Sequence, residues 1–466
     1  MQPGGKGAGS RGRPRVVIFA LSKAYPVDGN RSNGIRQEPP SGKSMESVIN
    51  NPATERPAYR PLGVMVLAAE ELLLSKMLRA IGDPPIQIVL WNGHEINRSE
   101  AVAASVLIRD RGALFKLISD PELHFGELYS SQRIEVQGSL LDFLEAVYRV
   151  WPLMSEKRAG RKQFLSFSAA RANTLEGARF NIRHHYDLGN DFYKLWLDER
   201  MVYTCAYFKK RDMSLEEAQL AKLDHVCKKL RLKAGETVLE AGCGWGALAL
   251  HMAKNYGVIV KAYNISKEQI AFARQRARNE DPEGRVEFIE DDYRNASGEF
   301  DAFVSIGMLE HVGVEHYREL GKMINRILNS NGRGLIHTIG LNYPRPMDAW
   351  ASRHIFPGAS PPSLAQMMQI FEPFDFSVLD VENLRLHYAM TLGHWLDRFE
   401  RHADLVEQMF DQEFVRMWRL YLAGSLTAFK TGGMQLFQVA FARADYDAPL
   451  TRENLYESWD AQDGQL

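Results

Sequence analysis

Along the second half of the chain short apolar runs recur, each followed by a turn and then by residues at helical spacing. Val238-Leu239 predicts a buried strand. Gly242, Gly244 and Gly246 follow, alternating with Cys243 and Trp245, and Ala247 to Ala253 is rich in helix formers. Val258 to Tyr263, Arg285 to Ile289, Phe300 to Ile306 and Arg333 to Ile339 predict four more strands. Ser266 with Gln269 opens a helix after the second strand, and a helix from about His316 to Ile327 precedes the fifth. Upstream, Ser214 and Glu217 form a capping box for a helix with Leu223, Val226, Cys227 and Leu230 on one buried stripe, which makes Cys227 a packing residue. Such alternation predicts an α/β fold, a mostly parallel sheet with helices on both faces. Ligands of doubly wound sheets lie beyond the carboxyl ends of the strands.

The first part reads differently. Residues 1–60 are rich in Gly, Pro, Ser, Asn and Arg, a composition that predicts a disordered tail. Lys6 to Arg15 followed by Val16 to Leu21 superficially resembles a signal peptide, but the apolar run is short and no cleavage site precedes Lys23. Residues 61–151 predict a smaller α+β domain. Its expected helices are Met65 to Ala80, Leu114 to Ile118 and Leu140 to Val150; its expected strands are Ile86 to Trp91, Val106 to Ile108 and Ile134 to Val136. Residues 152–179 carry Lys157, Arg158, Arg161, Lys162 and Arg171, a pattern that suits a solvated linker or a contact with anionic lipid. From Phe180 to Tyr193 aromatic and polar residues alternate as at the mouth of a pocket, and the second domain is expected over 180–445, with a tail at 446–466.

Composition narrows the function classes. The net charge of -1 over 466 residues gives no global pull toward nucleic acid. No stretch approaches the roughly 18 consecutive apolar residues of a membrane span. Cys205, Cys227 and Cys243 are widely spaced, which argues against a disulfide framework or a zinc cluster and fits a reducing cytoplasm.

The glycine string alone suits a dinucleotide loop or a plain turn as well as any other ligand. Its spacing is not Gly-x-Gly-x-x-Gly, and the second strand ends in Asn264 rather than an acid, so NAD is disfavoured. The acids stand instead at Glu240, beside the loop, and at Asp291 and Asp292, after the third strand. That distribution suits S-adenosylmethionine: Glu240 near the ammonium of its amino-acid end, and Asp291 or Asp292 accepting from the adenine amino group.

From Phe180 to Arg443 the chain also resembles the cyclopropane-fatty-acyl-phospholipid synthases and the related mycolic acid cyclopropane synthases. The strings that carry the resemblance are His185-Tyr186-Asp187-Leu188, Tyr203-Thr204-Cys205-Ala206-Tyr207-Phe208 and Glu240 to Gly246. Asp292-Tyr293-Arg294, Ser305 to Gly313 and His337-Thr338-Ile339-Gly340 continue the series. Ile355-Phe356-Pro357-Gly358 and the run from His387-Tyr388 to Trp395 complete it. The resemblance implies a Rossmann-like class I S-adenosylmethionine-dependent methyltransferase domain preceded by the smaller α+β domain. It implies cofactor contacts from Tyr203, Thr204, Glu240, Gly242, Cys243, Gly244, Gly246, Asn264, Ile265, Gln269, Asp291, Asp292 and Tyr293.

The implied reaction moves a methyl group from the sulfonium to the cis double bond of a phospholipid acyl chain. The resulting carbocation closes to a cyclopropane when a base removes a proton from the new methyl group. The resemblance implies bicarbonate as that base, held by the amides of Cys205 and Ile339 and the side chains of Glu310, His337 and Tyr388. Tyr186, Tyr203, Tyr207, Phe208, Tyr293 and Trp350 are the aromatic faces available to a cation. A homodimer in peripheral contact with the inner face of the membrane is part of the same expectation. Thr204 replaces a serine common among relatives, and Ser425 stands where some carry a cysteine, so covalent catalysis is not expected. Methyl-branched or methylene products, or methylation of a small soluble molecule, use the same motifs. Lipid binding or transfer without catalysis is the non-enzymatic alternative.

Overall fold

The strands of the larger sheet are β5 (Thr237–Ala241), β6 (Ile259–Asn264), β7 (Val286–Glu290), β8 (Phe300–Ile306), β9 (Leu328–Gly340), β10 (Phe376–Asn383) and β11 (Gln435–Arg443). The computed structural model describes residues 61–97, 102–150, 188–281 and 283–455. The expected tail over 1–60, the basic connection and the stretch from Phe180 to Asp187, with Tyr186, lie outside the described residues.

Across the sheet the order is β10-β11-β9-β8-β5-β6-β7. Strands β5 to β9 pair in parallel, while β11 runs antiparallel to both β9 and β10. Side chains of successive residues go to opposite faces. Val238, Val304 and Leu335 pack under the helices Leu215–Leu230 and Ala247–Tyr256. Leu239, Phe303 and Ile336 pack under Tyr317–Ile327 and Leu364–Phe371. This is the predicted three-layer α/β fold. The chain leaves β5 toward β6 and β7 on one side, then returns to β8 on the other. A crevice therefore opens at the carboxyl ends of β5 and β8, as such reversals require.

The N-terminal part holds a second sheet, β1 (Ile86–Leu90), β2 (Glu95–Asn97), β3 (Ala104–Ile108) and β4 (Ile134–Gln137), in the order β2-β1-β3-β4. Helices Pro61–Ala80, Arg111–Ser119 and Leu140–Val150 match the three expected ones. A further helix, Pro121–Ser130, was not expected. Asp120 caps it by accepting from the Leu123 amide, and Pro121 fits its first turn, where an amide would have no intrahelical acceptor. It docks beside Leu140–Val150 on the long helix Gln412–Thr431 of the larger part.

Candidate active site

The crevice continues inward as an apolar cavity whose wall carries most of the residues singled out from sequence. Tyr203, Thr204, Glu240, Gly242, Cys243, Gly244, Asn264 and Gln269 line it, together with Glu310, Ile339 and Tyr388. Cys205, Gly246, Ile265, Asp291, Asp292, Tyr293 and His337 stand outside the lining.

The turn after β5 is shaped by backbone that only glycine adopts easily. Gly244 has φ +53°, and a Cβ there would meet nothing within 4 Å, so its backbone faces open space. Gly246 has φ +85°, and a Cβ there would come within 2.6 Å of the Phe288 ring. Its absence from the wall follows, because its place is against β7. Amides of Gly242 and Cys243 both donate to the Tyr263 carbonyl, at 2.9 and 3.1 Å, which fixes the loop to β6. At the end of β6, Asn264 Nδ2 donates to Gln269 Oε1 at 2.8 Å and to the Gly244 carbonyl at 3.3 Å. Ser266 caps the following helix as expected, accepting from the Gln269 amide. The Gln269 side chain reaches Asn264 and the cavity rather than closing a capping box.

Two buried carboxyls meet the cavity. Burial pushes Glu240 up to about 8 against the opposing pull of Lys222, and Glu240 Oε2 has no hydrogen-bond partner. Glu310 sits in the turn after β8, where Oε1 accepts from the Ile339 amide at 2.6 Å. Its Oε2 is buried without a partner, and burial pushes Glu310 up to about 7. Such a carboxyl carries its proton through much of the neutral range.

Sequence reasoning missed Lys222 and Gln219. Gln219 Nε2 donates to the Thr204 carbonyl at 2.8 Å, and Lys222 Nζ to Thr204 Oγ1 at 3.0 Å. Burial holds Lys222 down to about 8, and its side chain lines the cavity. The signal was there: both interrupt the apolar stripe of the capped helix at positions facing the core, where a polar group needs a reason. His311, Met308, Phe356 and Tyr421 are further wall residues.

The residues behind the wall have other engagements. Cys205 Sγ donates to the Ala206 carbonyl, and burial raises its thiol well above the ordinary range. His337 Nδ1 meets Gln438 Nε2 at 3.2 Å, its Nε2 is unpartnered, and burial lowers it to about 3, so the ring is neutral. Asp292 accepts the Arg294 amide and holds the Arg294 guanidinium through both oxygens. Asp291 accepts from the Asp292 amide and from Asn295. Of the six aromatic residues offered to a cation, Tyr203 and Trp350 line the cavity. Tyr207 is stacked between His225 and His387, and Phe208 lies on His394.

Residues 174–439 match the mycolic acid cyclopropane synthetase family. The chain belongs to that family. Residues 73–155 match a separate domain family of unknown function. Among curated proteins, the "Probable fatty acid methyltransferase" of Pseudomonas putida is 33% identical over 80% of this chain and 96% of its own length. The cyclopropane-fatty-acyl-phospholipid synthase of Escherichia coli is 41% identical over 56% of this chain and 67% of its own. Among solved structures, the cyclopropane synthase MmaA2 of Mycobacterium tuberculosis aligns with a TM-score of 0.55 at 30% identity, covering 57% of this chain and 98% of that one. The synthase CmaA1, complexed with S-adenosylhomocysteine and CTAB, aligns at 0.54 and 31%, covering 57% and 98%. The protein is an S-adenosylmethionine-dependent methyltransferase of the cyclopropane synthase type.

Proposed function

We propose that this synthase acts on the cis double bond of phospholipid acyl chains and closes a cyclopropane ring, with bicarbonate at Glu310 as the base. The observation that carries the reading is the pair of buried carboxyls, Glu240 and Glu310, each bringing an unpartnered oxygen to one apolar cavity. An unpartnered Glu240 beside an open glycine turn fits the cationic amino-acid end of S-adenosylmethionine. A Glu310 that keeps its proton fits a small anion, because it donates where an ionised carboxylate would repel.

When bound, S-adenosylmethionine supplies the electrophilic methyl group, and bicarbonate supplies a base for the proton that this carbon must lose. Glu240, Asn264, Gln269 and the Gly244 backbone would hold the former; Glu310 and Tyr388 would hold the latter, and the Ile339 amide, which donates to Glu310 Oε1, would position Glu310 rather than bind the anion as expected from sequence. Cys205 and His337 would support that end from behind. Asp291 and Asp292 would brace the turn beyond the adenine. Tyr203, Trp350, Phe356 and Tyr421 wall the site, exclude water and present aromatic faces to developing positive charge.

The test is transfer of label from S-adenosylmethionine into vesicles of unsaturated phospholipid, with bicarbonate varied. Label should enter the lipid, rise with bicarbonate, and be cut by Glu310→Gln at least about a hundredfold, the usual scale of general acid–base contributions. Intact cofactor binding with no lipid label sinks the reading. The fatty acid methyltransferase relative favours a second outcome, a methyl-branched or methylene chain, which proton resonance spectra of the product lipid separate from a ring. Among the described residues no helix is long and apolar enough to cross a membrane. Peripheral contact with the inner membrane face from the cytoplasm belongs to the proposal, and vesicle co-sedimentation tests the contact. The homodimer is tested by light scattering.

A further inference from the structure

A second cavity, of about 510 Å³, lies between the N-terminal sheet and the larger part of the chain. Its inner wall is aliphatic and aromatic, with Leu78, Ile86, Ile88, Val106, Leu117 and Phe143. It adjoins the active-site cavity: Tyr148, Asp348, Trp350, Leu420, Gly424 and Met434 are among the residues that line both, so the two meet at a shared wall. At the junction the two parts touch closely. Trp350 lies so near Gly126 that a Cβ there would fall 2.3 Å from its Nε1. Gly424 leaves the shared wall open, with Tyr148 Oη, at 3.9 Å, the nearest atom to a Cβ placed there.

We propose that the N-terminal unit is the distal half of the substrate tunnel, holding the methyl-terminal segment of the acyl chain beyond the reacting double bond. The inference rests on the proposed acyl-chain reaction and gives the unit a role in choosing chain length. Three features argue for this occupant. The two cavities share a wall, so a chain that crosses it at Gly424 has its far end in this space. The charged lining residues, Glu122, Arg345 and Asp348, stand at exposed positions, while the wall on the sheet side is uncharged and favours each methylene buried against it. The inner end is built from the core face of β1 and β3, which suits a terminal methyl group and excludes the glycerol phosphate.

Two variants change this path without touching the glycine turn. Gly424→Leu places a side chain in the open junction on a helical backbone that accepts it. Val106→Phe shortens the inner end. Vesicles are prepared from phospholipids whose acyl chains share the position of the double bond from the carboxyl group and differ in length beyond it. Val106→Phe should lower the ratio of long-chain to short-chain turnover about tenfold, the effect of excluding roughly two methylenes from an apolar site. Gly424→Leu should depress both chains, and S-adenosylhomocysteine affinity should be unchanged in both variants.

A second arm needs no turnover: a fluorescent polyene fatty acid is titrated into wild type and variants. Weaker binding by Gly424→Leu supports the tunnel, and equal affinity in all three proteins overturns it. Wild type that binds the probe yet labels no lipid refutes the proposed reaction and leaves the tunnel standing. An unchanged chain-length ratio in folded Val106→Phe overturns the tunnel while the reaction stands; if that variant does not fold, Gly424→Leu decides alone.

Discussion

Glu310, buried at the cavity wall, ties stability to pH through one side chain. Its pKa rises from 4.5 to about 7 on folding because burial penalises the charged form. Within that window the folded protein keeps a proton that the unfolded chain has released, so stability falls as pH rises through it. The cost is complete above the folded value and absent below the unfolded one. Glu310→Gln keeps an oxygen for the Ile339 amide and removes the ionisation. The variant should therefore be more stable than wild type by about 1–3 kcal/mol near pH 8 and nearly equal near pH 4. Urea unfolding without ligands at the two pH values measures this. A gain in stability accompanied by lost turnover marks a residue kept for its chemistry.

The strand, turn and helix from Thr237 to Tyr256 show how much of the site could be read from the chain. Apolar positions that alternate between two helical layers, as Val238 and Leu239 do, give the strand directly, and the glycines after it give the turn. Their spacing does not tell which glycine meets ligand and which meets protein. Gly246→Ala forces a positive φ and a clash with Phe288, a cost of roughly 2–4 kcal/mol that an unfolding curve would show. Gly244→Ala meets no neighbour, so it should cost about 1–2 kcal/mol from backbone strain and mainly weaken S-adenosylhomocysteine binding in calorimetry. Equal effects on binding from the two substitutions would contradict this division of labour. Elsewhere the pattern was silent. Strand β11 is buried on both faces with Gln435 and Gln438 among its apolar residues, so neither alternation nor a clean apolar run announced it. Lys222 and Gln219 interrupt a core-facing stripe, but what they hold, the segment Val202 to Thr204, is seen only once that segment is folded against them. Asp291 and Asp292 were placed after the third strand from sequence, but their bonds to the local turn and to Arg294 were not legible there.

The molecule works as a methyltransferase sheet with a second unit docked on the helix Gln412–Thr431, and Arg416 is central to that docking. Its Nε donates to the Tyr129 carbonyl at 2.7 Å and its Nη2 to the Ile134 carbonyl at 3.3 Å. The guanidinium lies 4.1 Å over the Tyr129 ring, largely shielded from water. Around it the contacts are polar and more exposed: Gln132 donates to Gln412, Lys430 pairs with Glu145, and Arg353 and His354 approach Glu127. Exposed pairs of that kind contribute little each, so the shielded arginine should dominate the polar part of the interface. Arg416→Ala removes three charged hydrogen bonds, one of them to Glu135 at 3.5 Å, and a ring contact, which should weaken docking by about 2–4 kcal/mol. The glycine turn is held by β5 and β6 and makes none of these contacts, so affinity for S-adenosylhomocysteine should hold. Lipid turnover should fall, because the wall shared by the two cavities includes Tyr148 from the docked unit. Arg416→Lys keeps the charge without the planar fork and should recover only part of the loss. Limited proteolysis read beside turnover separates the alternatives. A variant with wild-type cleavage kinetics and reduced turnover would show that Arg416 acts on the lipid path rather than on docking.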